Sequence, residues 1–284
     1  MQLKTCYKTR VRTAILIRTL FIFLIVISHV SGQTNWVWSN PQPPGNPLYN
    51  VKIINDSTIL AIGGAGLVIK STDAGESWFY EYSEIQNNIY SLEFYNDSCG
   101  IALGENGLIF KSWNRGSNWQ RINNLNRFDL FDVAFYDEEF GVVVGDSGSI
   151  LITNDAGQNW DYIKSPTLKK LTSIDFINAS TIIVSAYDGE IFRSTNLGNE
   201  WQAVFHQSGL YLRDVKKIND SQIIAIGNQG TIISSTDAGE SWELQVPVTN
   251  KDLFSINVLY DGRICITSEA GSLYRTSDCG KTWE

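Results

Sequence analysis

The sequence has very few residues of the types that bind metals or form nucleophile–base pairs. It contains two histidines and four cysteines in 284 residues. His206 is the only histidine after residue 32, which argues against a multi-histidine metal site and, without a G-x-S-x-G motif, against a serine triad. Three cysteines follow residue 32 without C-x-x-C spacing, so neither a zinc site nor a disulfide framework is predicted. We therefore expect no metal and no cofactor.

Long apolar or amphipathic helical segments are also missing after residue 32. At the N-terminus, five cationic residues lead into the apolar run LFIFLIVI, and small residues follow up to Gly32. This run is far shorter than the ~20 residues that span a bilayer. We predict a signal peptide at residues 1–32, with an uncleaved N-terminal anchor as the alternative. If this signal peptide is cleaved, we expect that the mature protein is not inserted in a membrane and is located in the cell envelope or secreted.

Cationic residues are scarce relative to anionic ones. The chain has 22 Lys and Arg against 30 Asp and Glu, a net charge of −8. Residues 1–32 carry five cations and no anion, so the remainder has 17 cations and a net charge of −13. Phosphate backbones repel a domain of this charge. We therefore expect no nucleic-acid partner.

The most regular feature that is present is a tryptophan-terminated octet. STDAGESW occurs unchanged at residues 71–78 and 235–242, and four looser relatives are SWNRGSNW, TNDAGQNW, STNLGNEW and TSDCGKTW. A constant 41 residues separates the six final tryptophans, which are Trp78, Trp119, Trp160, Trp201, Trp242 and Trp283. A fixed period in the 40s indicates a repeat architecture.

Each repeat contains four short segments that are predicted to form β-strands. Segments such as IYSLEFY and TIISS are rich in β-branched and aromatic residues and are separated by Asn, Asp and Gly. A glycine twelve residues before every tryptophan fits a hairpin turn with positive φ. Four-stranded units of about 40 residues repeated radially form a β-propeller. We predict an all-β propeller of antiparallel four-stranded blades over residues 33–284, with six repeat units present.

The octet pattern S/T-x-D/N-x-G-x-x-W predicts a self-stapled turn. Its Asp or Asn accepts backbone hydrogen bonds, its glycine takes the left-handed conformation, and its tryptophan is buried beneath the turn. Two copies carry neutral Asn, which favours turn chemistry over calcium binding. The predicted structural residues are the six tryptophans together with Asp73, Asn114, Asp155, Asn196, Asp237 and Asp278.

The octet resembles the Asp-box of the sialidase-type (BNR-repeat) propellers. The surrounding unit, for example VGDSGSILITNDAGQNW, resembles more closely the photosystem II stability and assembly factor family and related secreted bacterial propellers. This resemblance implies a non-catalytic scaffold that recognises or assembles protein partners, without implying photosynthesis.

Function is expected where the repeats differ, on the face where loops enter the innermost strands. Twenty-nine residues before each tryptophan the series runs Tyr49, Tyr90, Phe131, Thr172, Arg213, Phe254. Arg213 places a charge where most other repeats have an aromatic ring. The candidate binding residues are Arg213, Tyr211, His206, Lys170, Lys169, Arg127 and Lys251. Three interpretations of this face stay open: it binds a protein partner, it binds an extracellular glycan, or it is a solvated face without a ligand.

A glycoside hydrolase of the sialidase-like type is the alternative function. Such an enzyme needs two carboxyl groups about 5–9.5 Å apart, and Asp132 and Asp214 occupy equivalent positions 28 residues before their tryptophans. The sequence lacks the RIP-type motif that opens sialidase domains. We therefore expect that the protein is not an enzyme.

The strand count predicts more than six blades. NWVWS at residues 35–39 resembles a strand that follows a tryptophan, and Trp283 begins another such strand. We expect a C-terminally incomplete part of a seven-bladed ring that is monomeric when complete. The rival is a six-bladed ring in which residues 35–39 complete the blade begun at Leu253.

Overall fold

The chain folds as a β-propeller. A computed structural model describes residues 45–81, 85–124, 127–259 and 262–284. Within them every regular element is a β-strand or a three-residue 3-10 turn, so the predicted all-β class is confirmed. No helix in these ranges has the length and apolarity needed to cross a bilayer. The predicted signal peptide at 1–32 and the strand at 35–39 lie outside the described residues.

Six antiparallel sheets, the blades, follow one another in chain order. Blade 1 comprises β1 (Leu48–Ile53), β2 (Ile59–Gly63), β3 (Val68–Ser71) and β4 (Phe79–Tyr80). Blade 2 comprises β5 (Ile89–Phe94), β6 (Gly100–Gly104), β7 (Ile109–Ser112) and β8 (Gln120–Arg121). Blade 3 comprises β9 (Leu130–Phe135), β10 (Gly141–Gly145), β11 (Ile150–Thr153) and β12 (Asp161–Tyr162).

The remaining blades repeat this order. Blade 4 comprises β13 (Leu171–Phe176), β14 (Ile182–Ala186), β15 (Glu190–Ser194) and β16 (Gln202–His206). Blade 5 comprises β17 (Leu212–Lys217), β18 (Ile223–Gly227), β19 (Ile232–Ser235) and β20 (Glu243–Leu244). Blade 6 comprises β21 (Leu253–Val258), β22 (Ile264–Ser268) and β23 (Leu273–Thr276). The 3-10 turns are Gly64–Gly66, Glu105–Gly107, Asp146–Gly148, Asn228–Gly230 and Glu269–Gly271.

Glu284 pairs with the outermost strand of blade 6. Its backbone exchanges two hydrogen bonds with Arg275 of β23, at 2.9 and 3.0 Å. The predicted rival pairing, by residues 35–39, lies outside the described residues. The seven-bladed ring stays a prediction.

Packing between neighbouring blades forms the core. The innermost strands β1, β5, β9, β13, β17 and β21 pack in that order. All five residues of β2, β6, β10, β14 and β18 are buried, because each of these sheets is covered on both faces. Such strands lose the polar–apolar alternation of a half-exposed sheet.

The octets form the predicted turns. In the first, Ser71 Oγ donates to Asp73 Oδ1 at 2.8 Å, and Asp73 Oδ1 accepts the backbone N–H of Ser77 at 2.9 Å. Trp78 Nε1 donates to the carbonyl oxygen of Gly75 at 3.2 Å. The glycine is left-handed, as predicted, and so is the residue before it, with φ 59° at Ala74.

The Asn copies make the same backbone bond as the Asp copies. Asn114 Oδ1 accepts the backbone N–H of Asn118, and Asn196 Oδ1 accepts that of Glu200, both at 2.9 Å. In an Asp copy, hydrogen bonds from the hydroxyl and backbone N–H of Ser241 lower the pKa of Asp237 to about 2. The turn chemistry therefore does not depend on the carboxylate charge.

Candidate functional site

A β-bulge near the start of each innermost strand positions the candidate site. In β9, Leu130 pairs with Gly145 and Asp132 pairs with Val144, which leaves Phe131 without a partner. The same register shift occurs in the other five blades. A bulge re-aims the side chain of its extra residue. The bulged residues are Tyr49, Tyr90, Phe131, Thr172, Arg213 and Phe254.

Aromatic and cationic side chains at this end of the innermost strands contact one another in an unbroken line. We call this line the mouth arc. It consists of Tyr49, Tyr90, Phe131, Lys170, Tyr187 and Tyr211. Its first part is purely aromatic, since Tyr49–Tyr90 and Tyr90–Phe131 have ring centroids 5.4 Å apart. Tyr49 keeps 44% of its surface exposed, so this part of the arc is accessible.

Lys170 joins the two aromatic parts of the arc. Its Nζ lies 3.7 Å from the Phe131 ring centroid and 5.7 Å from that of Tyr187. Tyr187 lies 4.8 Å from Tyr211, and these two tyrosines are 40% and 41% exposed. An ammonium over a ring face is attracted by the ring quadrupole. The arc is therefore a continuous amphipathic surface that spans blades 1 to 5.

Lys170 lacks a hydrogen bond that the equivalent residue makes in three other repeats. At the equivalent position in other repeats, Asn88, Asp129 and Asp252 accept a backbone N–H from the hairpin of the preceding blade, at 2.9–3.0 Å. A lysine ammonium has no acceptor and cannot replace this bond. Lys170 forms no ion pair within the described part of the chain. Its cation is thus available to a ligand.

The charge of Lys170 is also partly desolvated. Burial lowers the pKa of its ammonium, against the attraction of Asp146 and Asp129, and the Arg213 charge adds to the lowering. A half-buried cation interacts with an anion more strongly than a solvated one, because the local dielectric is lower. This makes Lys170 the strongest anion-attracting group of the arc.

Arg213 lies beside the arc and is paired. Its guanidinium carbon is 5.1 Å from the Phe254 ring centroid, and its Nη2 donates to Asp252 Oδ2 at 2.7 Å. Arg213 therefore stacks on one ring while Asp252 fixes its orientation. Phe254 is 46% exposed and extends the aromatic surface into blade 6.

The other predicted site residues are dispersed around this face. Lys169 pairs with Asp188, and His206 Nδ1 lies 3.6 Å from Glu190 Oε1. Lys251 Nζ donates to Ser272 Oγ at 3.1 Å. Arg127 lines a separate cavity. Of the predicted residues, the structure brings Lys170 and Tyr211 into the arc and Arg213 to its edge.

Asp132 and Asp214 meet deeper among the innermost strands through one hydroxyl group. Ser173 Oγ lies 2.8 Å from Asp132 Oδ2 and 2.9 Å from Asp214 Oδ1. Asp132 Oδ2 also accepts the N–H of Ile174, and Asp214 Oδ2 that of Ile256, at 3.0 and 2.9 Å. A serine hydroxyl has one hydrogen, so both contacts are hydrogen bonds only when one carboxyl group is protonated. Through these bonds the pair connects four neighbouring blades, from blade 3 to blade 6.

The carboxyl group of Asp214 has a raised pKa. Burial and the nearby Asp132 raise the pKa of Asp214 to about 6, against the attraction of Lys216. Lys216 itself lies 3.5 Å from Asp175, and that carboxylate and Asp214 raise its pKa against the effect of burial. No group of three or more His, Cys, Asp or Glu side chains that could hold a metal ion occurs in the described ranges.

Replacing Asp214 by Asn should change how stability depends on pH. The pKa of about 6 lies above the ordinary 3.8, so the stabilising contribution of protonated Asp214 is complete below about pH 3.8 and is lost as pH rises through 6. The Asp214→Asn variant does not titrate there. Its stability relative to the parent should therefore rise by about 1–3 kcal/mol between pH 4 and pH 8 in chemical denaturation.

Asp237→Asn is the control, because the pKa of Asp237 is shifted in the opposite direction from that of Asp214. Hydrogen bonds lower the pKa of Asp237, so its stabilising contribution is lost only as pH falls below about 4. The relative stability of this variant should be flat from pH 5 to pH 8. An equally flat profile for Asp214→Asn would contradict the raised pKa of Asp214.

Comparison with known proteins places the chain in a family. The family profile described as photosynthesis system II assembly factor YCF48 matches residues 26–114 and 111–284. The chain belongs to the YCF48 family. No curated protein matches the sequence.

Solved YCF48 structures share the fold. A structure described as YCF48 bound to D1 peptide has a TM-score of 0.69 and 17% identity, and the match covers 85% of this chain and 81% of that one. YCF48 from Cyanidioschyzon merolae gives a TM-score of 0.60 and 15% identity, covering 82% and 96%. An ancestral GH74 enzyme gives a TM-score of 0.69 and 15% identity, and the match covers 88% of this chain and 40% of that one. The fold is thus similar to that of YCF48 proteins and to that of an enzyme.

The predicted binding residues of this YCF48-family chain omit four residues of the arc. Tyr49, Tyr90 and Phe131 belong only to the series 29 residues before each tryptophan, and Tyr187 belongs to neither set. Tyr187 occupies the hairpin position fourteen residues before the tryptophan, where the other repeats have Gly64, Glu105, Asp146, Asn228 and Glu269. It is the only aromatic residue of that series, and that departure could have identified it. Blade 4 also differs in its outer strand β16, which has five residues where the other completed blades have two.

Proposed function

We propose that this chain is a non-catalytic, assembly-factor-like propeller that binds an extended segment of a protein partner across the mouth arc. The observation that carries the proposal is the unbroken contact line from Tyr49 to Tyr211, which contains Lys170 as an unpaired cation. Tyrosine rings present apolar faces and polar edges, and they are enriched where protein interfaces derive most of their binding energy.

The shape and charge of the arc support a polypeptide ligand with an acidic group. A line of rings across five blades suits an elongated ligand, and the Lys170 ammonium suits a carboxylate placed within it. The chain as a whole has a net charge of −8, so an anionic group of a ligand is attracted to Lys170 and repelled by most of the remaining surface. The YCF48 structure that was solved with a D1 peptide supports a peptide as the ligand class here.

We also propose that the domain works outside the cytoplasm. This proposal rests on the N-terminal segment, in which cationic residues precede an apolar run. N-terminal sequencing of the exported protein tests it, because processing after Gly32 is expected and an intact N-terminus would contradict it.

A glycoside hydrolase is the second candidate, favoured by the GH74 likeness and by the Asp132–Asp214 pair. The hydrogen bonds from Ser173, Ile174 and Ile256 give this pair a structural role instead. We expect no turnover of sialosides or β-glucans. Hydrolysis that disappears in Asp132→Asn or Asp214→Asn would establish the enzyme and overturn our proposal.

The double variant Lys170→Ala/Arg213→Ala tests the peptide-binding face. We expect at least about tenfold weaker binding to ligands selected by the parent protein from an array of synthetic peptides with varied carboxylate content. The change in the free energy of unfolding should stay below about 1 kcal/mol per residue, because Lys170 forms no ion pair among the described residues and the Arg213–Asp252 pair is partly exposed. Binding is measured by calorimetry and stability by thermal denaturation.

Lys281→Ala is the matched control, because this exposed lysine lies in the last octet, away from the arc. It should leave peptide binding unchanged. If the parent selects no peptide, or if Lys281→Ala weakens binding as much as the double variant does, the mouth arc is not the binding face.

A further inference from the structure

The octet of blade 2 differs from the other five at its second position. Trp113 stands where the other repeats have Thr72, Asn154, Thr195, Thr236 and Ser277. Its residue surface is 47% exposed, and the octets lie at the opposite end of the blades from the mouth arc. The Lys111 ammonium lies 5.3 Å from its ring centroid, while Lys111 Nζ donates to the Ala156 carbonyl oxygen of blade 3 at 2.6 Å. A fixed cation therefore supports one side of an exposed indole ring.

The same octet has an open pair of side-chain amides. In the other five octets, the third and seventh residues are joined by a side-chain hydrogen bond, as between Asp73 and Ser77 or Asp155 and Asn159. Across the described residues no such bond joins Asn114 and Asn118, and Asn114 Nδ2 has no acceptor. Asn114 Oδ1 is occupied by the Ser112 hydroxyl and the Asn118 backbone N–H. Asn114 Nδ2 and the side-chain amide of Asn118 therefore remain to donate to, or accept from, a ligand.

A cavity connects these two features. It has a volume of about 250 Å³ and is lined by Trp113, Asn114, Asn118, Trp119 and Gln120. This is slightly below the ~300–1,000 Å³ of pockets for drug-sized ligands, so it suits one ring-sized group. Flat apolar surface from the indole and hydrogen-bonding groups from three amides thus meet in one small cavity.

Two cationic residues, Lys111 and Arg115, belong to the strand and octet that form this cavity, in a chain of net charge −8. Arg121 and Arg127 line the other cavity. Arg115 lies in the octet itself and donates from Nε to the Asp97 carbonyl oxygen at 3.2 Å, so no carboxylate neutralises it there. An anionic ligand is favoured at this position and disfavoured over most of the surface.

We propose that the blade 2 octet is a carbohydrate-binding site for an acidic sugar, with the pyranose ring stacked on Trp113 and its hydroxyl groups bonded to Asn114, Asn118 and Gln120. Sugar hydroxyls both donate and accept, which matches side-chain amides. A proline-rich peptide also stacks on tryptophan, but recognition of that kind uses grooves lined by several aromatic residues. Here Trp119 is turned into the core between blades 1 and 2, which leaves one exposed ring.

Calorimetric titration of the full chain with an oligogalacturonate and with its methyl ester tests the site. We expect the acid to bind and the ester, which keeps the rings and loses the charge, to bind at least about tenfold more weakly. Trp113→Thr places the residue of three other octets at this position and should reduce acid binding at least tenfold with thermal stability retained.

The double variant Asn114→Asp/Asn118→Ser gives a second, fold-preserving test. It installs the Asp and Ser found in the octets at 71–78 and 235–242, so the open amides are replaced by a mutually bonded pair. Binding should be lost. Phe79→Thr, at a 58% exposed ring of blade 1, is the matched control and should leave the titration unchanged.

The outcomes distinguish this site from the mouth arc. Lys170→Ala/Arg213→Ala should keep full affinity for the oligogalacturonate, whatever its effect on peptides. Absence of acid binding by the parent, equal affinity for acid and ester, or undiminished binding by Trp113→Thr would each overturn the proposal. Tighter binding of an oligoproline peptide that depends on Trp113 would replace it with peptide recognition.

Discussion

Trp160→Ala is expected to lower the free energy of unfolding by about 3–5 kcal/mol, the range for a large-to-small change in a core. Trp160 is 8% exposed and belongs to the apolar cluster between blades 2 and 3, with Ile101 and Leu151. Phe135 meets it edge-on at a centroid distance of 6.2 Å. The substitution therefore leaves a cavity at a joint between blades. Chemical denaturation measures the loss.

Trp160→Phe separates packing from hydrogen bonding. The Nε1 atom of Trp160 is buried and has no hydrogen-bond partner, so phenylalanine removes no hydrogen bond there. Trp119→Phe removes the 3.0 Å bond from Nε1 to the Gly116 carbonyl oxygen. We expect the smaller loss at Trp160. A Trp160→Ala protein that keeps its stability while losing a measurable hydrolysis would contradict the structural role of the octets.

Gly148→Ala should strongly destabilise the fold through one added carbon atom in a hairpin. Gly148 has a φ of 69°, which costs a non-glycine residue about 1–2 kcal/mol. An added Cβ would also lie 1.9 Å from the Thr167 carbonyl oxygen, in the loop that leads to blade 4. Overpacking adds about 1–3 kcal/mol. The expected loss in chemical denaturation is thus about 2–5 kcal/mol.

Gly271→Ala is the matched control within the same repeat position. Its φ is 71°, but an added Cβ would meet nothing within 4 Å. This variant should lose only the backbone contribution of about 1–2 kcal/mol. Equal losses at the two glycines would show that the approach of the blade 4 loop does not constrain the hairpin.

Repetition in the sequence determined the fold. Six tryptophans at a spacing of 41 residues fix the unit, and the hairpin glycines and octets specify its turns through local φ and local hydrogen bonds. The turns at Asn55, Asn96, Asn178 and Asn219 follow the same rule, since each Oδ1 accepts backbone N–H groups two and three residues later. Interactions within a few residues can be read from the chain alone.

The sequence predicted less well which charged side chains are available to a ligand, because their ion-pair partners lie on other strands or loops. Lys169 and Arg213 look available in the sequence, but Asp188 and Asp252 pair with them in the fold. Lys170, with the same charge as its neighbour Lys169, has an aromatic environment instead. The sequence cannot separate two adjacent lysines by what faces them.

The sequence by itself determined the all-β class, the blade unit, the octet turns and the series of bulged residues, because these depend on period and on contacts within one repeat. Only the tertiary structure decided that Tyr187 joins the line of rings, that Asp132 and Asp214 share the hydroxyl group of Ser173, and that Trp113 borders a small cavity beside the Lys111 ammonium. The first two depend on distances between side chains that different strands or loops supply, and the third depends on how the octet is oriented against its blade. Distances of that kind are set by how strands pack around the ring, which no local pattern encodes.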